Sequence, residues 1–145
     1  MYGMQRPLRK EYYYNAPIGK VWQAFIDKNK MKAWYFPQLR NVEPIVGSVF
    51  QFDDTNAEYQ KEWIVTNVVK EKTFAHSWAY KGYAGKSEVV FDLTADGNKT
   101  MLSVTQTGLE SFPDNPHFNR ERFEWGWDNL LGKNLKQMLE NSTTQ

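Results

Sequence analysis

The sequence contains no cysteine, and this absence removes several kinds of site at once. Disulfides, a cysteine nucleophile, thiolate zinc sites and cysteine-ligated clusters are all excluded. Histidine is scarce as well: the two residues, His76 and His117, lie far apart in sequence, and neither has a carboxylate nearby at the spacing of metal ligands. We therefore expect no metal site and no other cofactor.

Long apolar runs are also missing from the sequence. No stretch approaches the ~20 residues of a membrane-spanning helix, and no apolar segment follows the basic residues of positions 1–10 as it would in a signal peptide. The formal net charge is +1, from 18 basic and 17 acidic residues, so no global field attracts nucleic acid or an anionic membrane. We expect a cytoplasmic protein with no nucleic-acid partner and no membrane insertion.

Signatures of common catalytic sites are absent too. The sequence has no nucleophile turn of the kind that serves a Ser-His-Asp triad, and no glycine-rich loop that would bind phosphate. Asp53 and Asp54 are adjacent carboxylates, but they lie in a predicted hairpin loop, where solvation is the simpler interpretation. An enzyme is therefore less expected than a binding or interaction domain, although the sequence leaves that question open.

Aromatic residues are what the sequence has in abundance. They make up 16% of the chain, with six Trp, eight Tyr and nine Phe. Aromatic side chains provide large contact areas and are typical of cores, cavities and interfaces. Two interpretations stay open at this point: the rings fill a large core, or they line a cavity.

The first third of the chain predicts a strand followed by two short helices. Leu8 to Tyr14 reads as a strand, and Asn15 or Ala16 then caps a helix that has Pro17 in its first turn. A second helical segment is predicted from about residue 30 to 35, ending before a proline. The first helix is indicated by apolar residues at the spacing i, i+3, i+4, i+7 and i+8, namely Ile18, Val21, Trp22, Phe25 and Ile26.

From about residue 40 to 107 the pattern changes to strands joined by tight turns. Residues 59–69 are rich in β-branched side chains, and apolar and polar residues alternate in 73–80, 87–95 and 100–107. Asp96-Gly97-Asn98 is typical of a hairpin turn. Consecutive strands with such turns predict an antiparallel meander.

The last segment, from about His117 to Asn141, predicts one long helix with a wide apolar stripe through Phe123, Trp127 and Leu131. Gly126 interrupts it at a cost of about 1 kcal/mol relative to Ala. Close approach of a backbone or ligand would explain this glycine, and simple tolerance in a long helix is the alternative. The economical architecture is a single α+β domain over residues 1–145, with a core of about 9–141, in which a curved antiparallel sheet of six or seven strands wraps round the final helix.

Several short motifs then carry a resemblance that runs in order along nearly the whole chain. They are Ala16-Pro17-Ile18-Gly19-Lys20-Val21-Trp22, Trp34-Tyr35-Phe36-Pro37, Gly47-Ser48-Val49-Phe50, Phe74-Ala75-His76-Ser77-Trp78, the strands 87–91 and 100–108, and Gly126-Trp127 with Leu131 and Leu135 behind it. Together they resemble the START-like (SRPBCC) superfamily and, within it, the homologues of the heat shock protein 90 ATPase activator. The resemblance implies the helix-grip fold, also found in the birch pollen allergen. Gln106 stands where many relatives carry histidine.

The resemblance and the aromatic surplus favour a non-enzymatic domain that binds a hydrophobic or aromatic small molecule between sheet and helix. His76, Tyr80 or Gln106 would orient the ligand, although a hydrogen-bonded core imidazole is the plainer interpretation of His76. His117 is expected to be a surface residue. The candidate lining residues are Trp34, Trp63, His76, Trp78, Tyr80, Phe91, Gln106, Phe123, Trp127 and Leu131.

Two other functions stay open. The family resemblance implies a co-chaperone-type interaction module that acts on a chaperone ATPase in a stress response. A cofactor-free enzyme acting on a hydrophobic substrate is the third possibility, with His76 as its acid or base. The chain is expected to be a monomer or a homodimer.

Overall fold

The computed structural model describes residues 6–141, with the side chain of Asn141 excepted. Seven strands and a set of helices follow one another in the predicted order. The strands are β1 (Leu8–Tyr14), β2 (Leu39–Asn41), β3 (Gln51–Phe52), β4 (Val65–Val69), β5 (Thr73–Trp78), β6 (Ser87–Asp96) and β7 (Lys99–Thr107). The α-helices are α1 (Ile18–Ile26), α2 (Lys28–Trp34), α3 (Arg120–Asn129) and α4 (Lys136–Asn141).

Five strands form one antiparallel sheet in the order β1-β7-β6-β5-β4. The β6–β7 hairpin closes at the pair Asp96 and Lys99, around the predicted turn. The first strand returns to pair with the last, from Leu8 opposite Gln106 to Tyr14 opposite Thr100. The alternation predicted for 87–95 is confirmed, because Val89, Phe91 and Leu93 are buried whereas Glu88, Val90 and Asp92 are exposed or half-buried.

The remaining strands, β2 and β3, form a second small sheet. The chain before β3 reaches the main sheet through the bridge between Val49 and Ile64 and through the Phe50 amide, which donates to the Trp63 carbonyl at 2.9 Å. The expected single sheet is therefore a sheet of five strands with an irregularly joined pair at one end. Residues 59–64 pair only through the isolated bridges at Lys61 and Ile64, so the regular strand begins at Val65 rather than at residue 59, and it carries a register shift between Val65 and Asn67.

The two short helices begin in different ways, α1 after a proline without a side-chain cap and α2 at an aspartate cap. Pro17 itself is the N-cap of α1, so the helix begins one residue later than a cap at Ala16 would place it. The Asp27 carboxylate caps α2 by accepting from the amides of Asn29 and Lys30 at 2.9 and 3.3 Å. This cap starts the second helix two residues before the predicted Lys30.

The C-terminal helix, residues 120–141, consists of α3, a π-helical segment Leu130–Leu135 and α4. It begins later than the predicted His117, because Pro116–Phe118 forms a separate 3-10 turn and the Asn119 side chain caps α3 by accepting from the Arg122 amide at 2.9 Å. In the π segment the Tyr14 hydroxyl of β1 donates to the Leu131 carbonyl at 2.8 Å. This hydrogen bond links the π-helical segment to the main sheet through β1.

The C-terminal helix packs across the concave face of the main sheet. The Trp127 ring lies 5.6 Å from Phe91 and 5.7 Å from Trp78, centroid to centroid, and Leu131 and Leu135 are fully buried behind it. The helix-grip α+β fold is confirmed. Among the described residues, no helix is long and apolar enough to cross a membrane.

Candidate functional site

A cleft of about 370 Å³ opens between the start of the C-terminal helix and the irregular end of the sheet. Its volume falls at the lower end of the ~300–1,000 Å³ that is typical of small-molecule sites. The lining is mostly aromatic: Phe36, Gln38, Tyr59, Lys61, Trp78, Tyr80, His117, Arg122, Phe123, Trp125, Gly126, Trp127, Asn129 and Leu130.

The strand wall of the cleft is built by the end of β5 and the residues that follow it. The Trp78 indole N–H donates to the Tyr80 hydroxyl at 2.8 Å, so the two buried rings fix each other. Lys61 lies opposite Tyr80 in an isolated bridge, and its ammonium lies 4.5 Å from the centroid of the Phe36 ring. A cation is thereby held against an aromatic face at the cleft.

The helix wall is built by the first turns of α3. Phe123 and Trp127 are buried, whereas Trp125 is 66% exposed. A Cβ added to Gly126 would have no described atom within 4 Å apart from its chain neighbours and its own helix backbone, so no backbone of another element approaches this glycine. Gly126 therefore leaves open space at the cleft.

The mouth of the cleft carries a stacked pair of rings. Tyr59 and His117 lie 3.7 Å apart between centroids and are nearly parallel, at 4°. Partial burial, followed by the nearby charges of Arg122 and Lys61, lowers the pKa of His117 below its usual value. A neutral imidazole therefore faces two cations at this mouth.

The structure divides the ten residues predicted to line a cavity. Trp78, Tyr80, Phe123 and Trp127 line the cleft. The others lie in the packed interior and do not reach it: Trp34, Trp63, His76, Phe91, Gln106 and Leu131. Ligand binding by any of the ten stays a prediction.

His76 is fully enclosed, and both of its ring nitrogens are engaged. Nε2 lies 2.9 Å from the Tyr35 hydroxyl and Nδ1 lies 2.8 Å from the Ser77 carbonyl. The carbonyl can only accept, so Nδ1 carries the proton and Nε2 accepts from Tyr35. Burial lowers the pKa of His76 to about 4, and its ring stacks on Trp63 at 4.5 Å. This arrangement keeps the imidazole neutral inside the core.

Gln106 acts on the cleft through its neighbour. Its Oε1 accepts from the Trp127 indole N–H at 3.0 Å, and this bond sets the orientation of a ring that lines the cleft. The Nε2 of Gln106 and the Nε1 of Trp63 are buried without a hydrogen-bond partner in the described part of the chain. Gln106 is thus a positioning residue.

Sequence reasoning did not select the charged and peripheral lining residues. Gly126, which the sequence did single out, offered one signal: Arg122 and Leu130 lie four residues before and after it, on a stripe beside Phe123 and Trp127. Lys61 carried no such signal, because it lies outside the regular strands and pairs only through an isolated bridge. The other lining residues that were not selected are Phe36, Gln38, Tyr59, His117, Trp125 and Asn129.

Comparison with known proteins gives a family and a set of solved structures. Residues 15–140 match the family described as "Activator of Hsp90 ATPase homolog 1-like protein". No curated protein matches the sequence significantly.

Within residues 6–141 no group of three or more His, Asp or Glu side chains could hold a metal ion.

Three solved structures illustrate the likeness. Protein MLL2253 from Mesorhizobium loti has a TM-score of 0.76 at 22% identity and covers 94% of this chain and 98% of its own. Protein BH1534 from Bacillus halodurans has a TM-score of 0.74 at 22% identity, with 94% and 99% covered. An HSP90 activator from Plasmodium falciparum has a TM-score of 0.69 at 20% identity, with 88% and 92% covered. At these identities the likeness shows the fold alone.

Proposed function

The chain belongs to the family of activator of Hsp90 ATPase homolog 1-like proteins, and within this family we propose that it is a non-enzymatic domain that binds a hydrophobic or aromatic small molecule. The ligand would lie in the cleft between Trp78 and Tyr80 on one side and Phe123 and Trp127 on the other. The observation that carries this proposal is the open space beside Gly126, between the large rings of Trp125 and Trp127 in the chain and opposite those of Trp78 and Tyr80.

The energetics of the cleft favour an apolar ligand. Apolar surface removed from water contributes about 25 cal/mol per Å², and the rings of the two walls are fixed before a ligand arrives. Trp78 is held by Tyr80, and Trp127 is held by Gln106. A preorganised pocket loses less side-chain entropy on binding than one whose rings must first be ordered.

A panel of hydrophobic fluorophores and lipids tests the proposal. We expect saturable binding of at least one member to the native protein, and loss of that binding in Gly126→Leu, whose side chain would project into the cleft. Gly47→Leu is not a suitable control because Gly47 has φ of 94°. Lys133→Leu is suitable, since it adds the same side chain to an exposed site of the helix. Absence of saturable binding to the native protein would reject the proposal.

A second candidate function is interaction with a chaperone ATPase, as the family description suggests. One surface favours it: Ile45, Val46, Val49 and Ile64 are exposed large apolar residues, and Val49 and Ile64 face each other in a bridge. Exposed apolar patches often mark protein contacts.

The two candidates occupy different surfaces, so paired variants separate them. A pull-down and an ATPase assay with the host's heat shock protein 90 would use Val49→Lys with Ile64→Lys, and separately Gly126→Leu. A co-chaperone role predicts loss of ATPase stimulation in the patch variant alone. No stimulation by the native protein would reject that role.

A further inference from the structure

We infer that the cleft selects small molecules that carry an anionic group next to an apolar body, with Lys61 and Arg122 as the residues that receive the anion. The inference rests on the proposed function, because it names the chemical class of the ligand for the same cleft. It adds a polar end to a site described so far by its aromatic rings.

The charges that line the cleft are all of one sign. Lys61 stands on the strand wall and Arg122 on the helix wall, and no Asp or Glu is among the lining residues. The chain as a whole has 18 basic and 17 acidic residues. The local excess of positive charge is therefore a property of this cleft and not of the whole surface.

Lys61 is a partly desolvated cation without an ion pair in the described part of the chain. Its ammonium lies over two rings, 4.5 Å from the Phe36 centroid and 5.3 Å from the Phe52 centroid. Burial lowers the pKa of Lys61, and the charge of Asp54 opposes that effect. Aromatic faces compensate a buried cation only in part, so an anion in the cleft would gain a strong partner.

Arg122 also lacks an ion pair within residues 6–141, whereas Arg120 in the same helix has one. Arg120 pairs with Glu124 at 3.4 Å and also donates to the carbonyl of Arg6. The Arg122 side chain makes no hydrogen bond or ion pair with any residue of 6–141, although its backbone amide takes part in the helix cap. Its guanidinium is available for bidentate contact with a carboxylate or a similar anion.

Two further donors at the cleft lack acceptors. The Tyr80 hydroxyl accepts from Trp78, and its own hydrogen meets no acceptor among the described residues. The ring nitrogens of His117 make no hydrogen bond within residues 6–141, while its backbone amide donates to Asn115. A carboxylate or sulfonate oxygen can accept from several donors at once.

A matched pair of probes tests the inference. Anilinonaphthalene sulfonate and N-phenylnaphthylamine differ only in the sulfonate, so fluorescence titration of both isolates the contribution of the anion. For the native protein we expect the sulfonate to bind about tenfold or more tightly, as charge-assisted hydrogen bonds allow. In the double variant Lys61→Met with Arg122→Met the two affinities should become equal. Lys70→Met, which removes an exposed lysine after β4, should preserve the difference.

Each other result has a defined meaning. Equal binding of the two probes to the native protein, with both lost in Gly126→Leu, would overturn the anion selectivity and leave the proposed function standing. A sulfonate preference that survives the double variant would also overturn it, since the anion would then be received elsewhere. If neither probe binds the native protein, the proposed function fails first and this inference fails with it.

Discussion

Each of the two histidines lies flat on an aromatic ring, yet they belong to regions of opposite character. His76 stacks on Trp63 in the interior and has both ring nitrogens bonded. His117 stacks on Tyr59 at the mouth of the cleft, and its ring has no hydrogen-bond partner among the described residues. The same ring contact completes a core in one place and leaves the imidazole edge without a hydrogen bond in the other. Enclosure, not residue type, distinguishes the two histidines.

The largest expected effect is a loss of stability from a substitution in the core, compared with a substitution at an exposed residue of the cleft. Trp34 is buried, stacks on Tyr35 at 4.5 Å and donates its indole N–H to the Ala24 carbonyl at 2.8 Å. Trp34→Ala should lower the free energy of unfolding by about 3–5 kcal/mol, because it leaves a cavity and an unpaired carbonyl. Trp125→Ala, at an exposed site, should change it by less than about 0.5 kcal/mol. Urea denaturation of both variants measures the contrast, and similar losses would contradict it.

The second effect concerns pH and the buried histidine. The pKa of His76 is about 4 in the folded protein and 6.5 for the free side chain. Between these values the unfolded chain binds a proton that the folded chain does not, so stability is complete above pH 6.5 and decreases as the pH falls towards 4. The loss amounts to roughly 3 kcal/mol at most.

Chemical denaturation as a function of pH measures this loss. His76→Gln should flatten the slope between pH 6.5 and 4, whereas His117→Gln should keep most of it, because that imidazole is only partly buried. A slope that His76→Gln leaves unchanged would show that other groups produce it.

The elements of the fold could be predicted from the sequence, but the boundary between core and cleft could not. Periodicity located the strands and the apolar stripe of the final helix, because an element that buries one face carries apolar residues at a regular spacing. It did not separate core from cleft on β5, because His76 and Trp78 lie on the same face although only Trp78 lines the cleft. Alternation records which way a side chain points, but not whether another element covers it.

The charged residues of the cleft show a second limit of the sequence. Lys61 and Arg122 look like ordinary surface residues among many lysines, arginines and glutamates. Their proposed role depends on the lack of an ion-pair partner within residues 6–141, and tertiary packing decides which carboxylates lie near them. The one local hint was that Arg122 lies four residues before Gly126, the glycine that the sequence had singled out.

A third prediction compares two tyrosine hydroxyls. Tyr35→Phe removes the donor to His76 Nε2 and leaves a buried acceptor unpaired, at a cost of about 1–3 kcal/mol. Tyr59→Phe removes only a long contact, 3.5 Å from the Asn115 side chain, and should cost less than about 0.5 kcal/mol. Thermal unfolding of the two variants checks the difference. Equal costs would mean that the His76 bond contributes nothing.

The smallest effect compares two glycines of the C-terminal helix. Gly126→Ala should stabilise the protein by up to about 1 kcal/mol, because the helix gains propensity and the added methyl meets open space. Gly132→Ala should gain less or lose stability, since a Cβ there would lie 3.2 Å from the Tyr12 ring, whose hydroxyl is bonded to Asp128. Thermal denaturation of the two alanine variants decides between them, and an equal gain at both positions would contradict the open space at Gly126.

The most direct measurement is a crystal structure of the native protein grown with the tightest-binding fluorophore of the panel. The account predicts ligand density beside Gly126, between Tyr80 and Trp127, with any anionic group directed towards Lys61 and Arg122. Density inside the core around His76 and Trp63, or on the apolar surface of Val49 and Ile64 with the cleft empty, would contradict it.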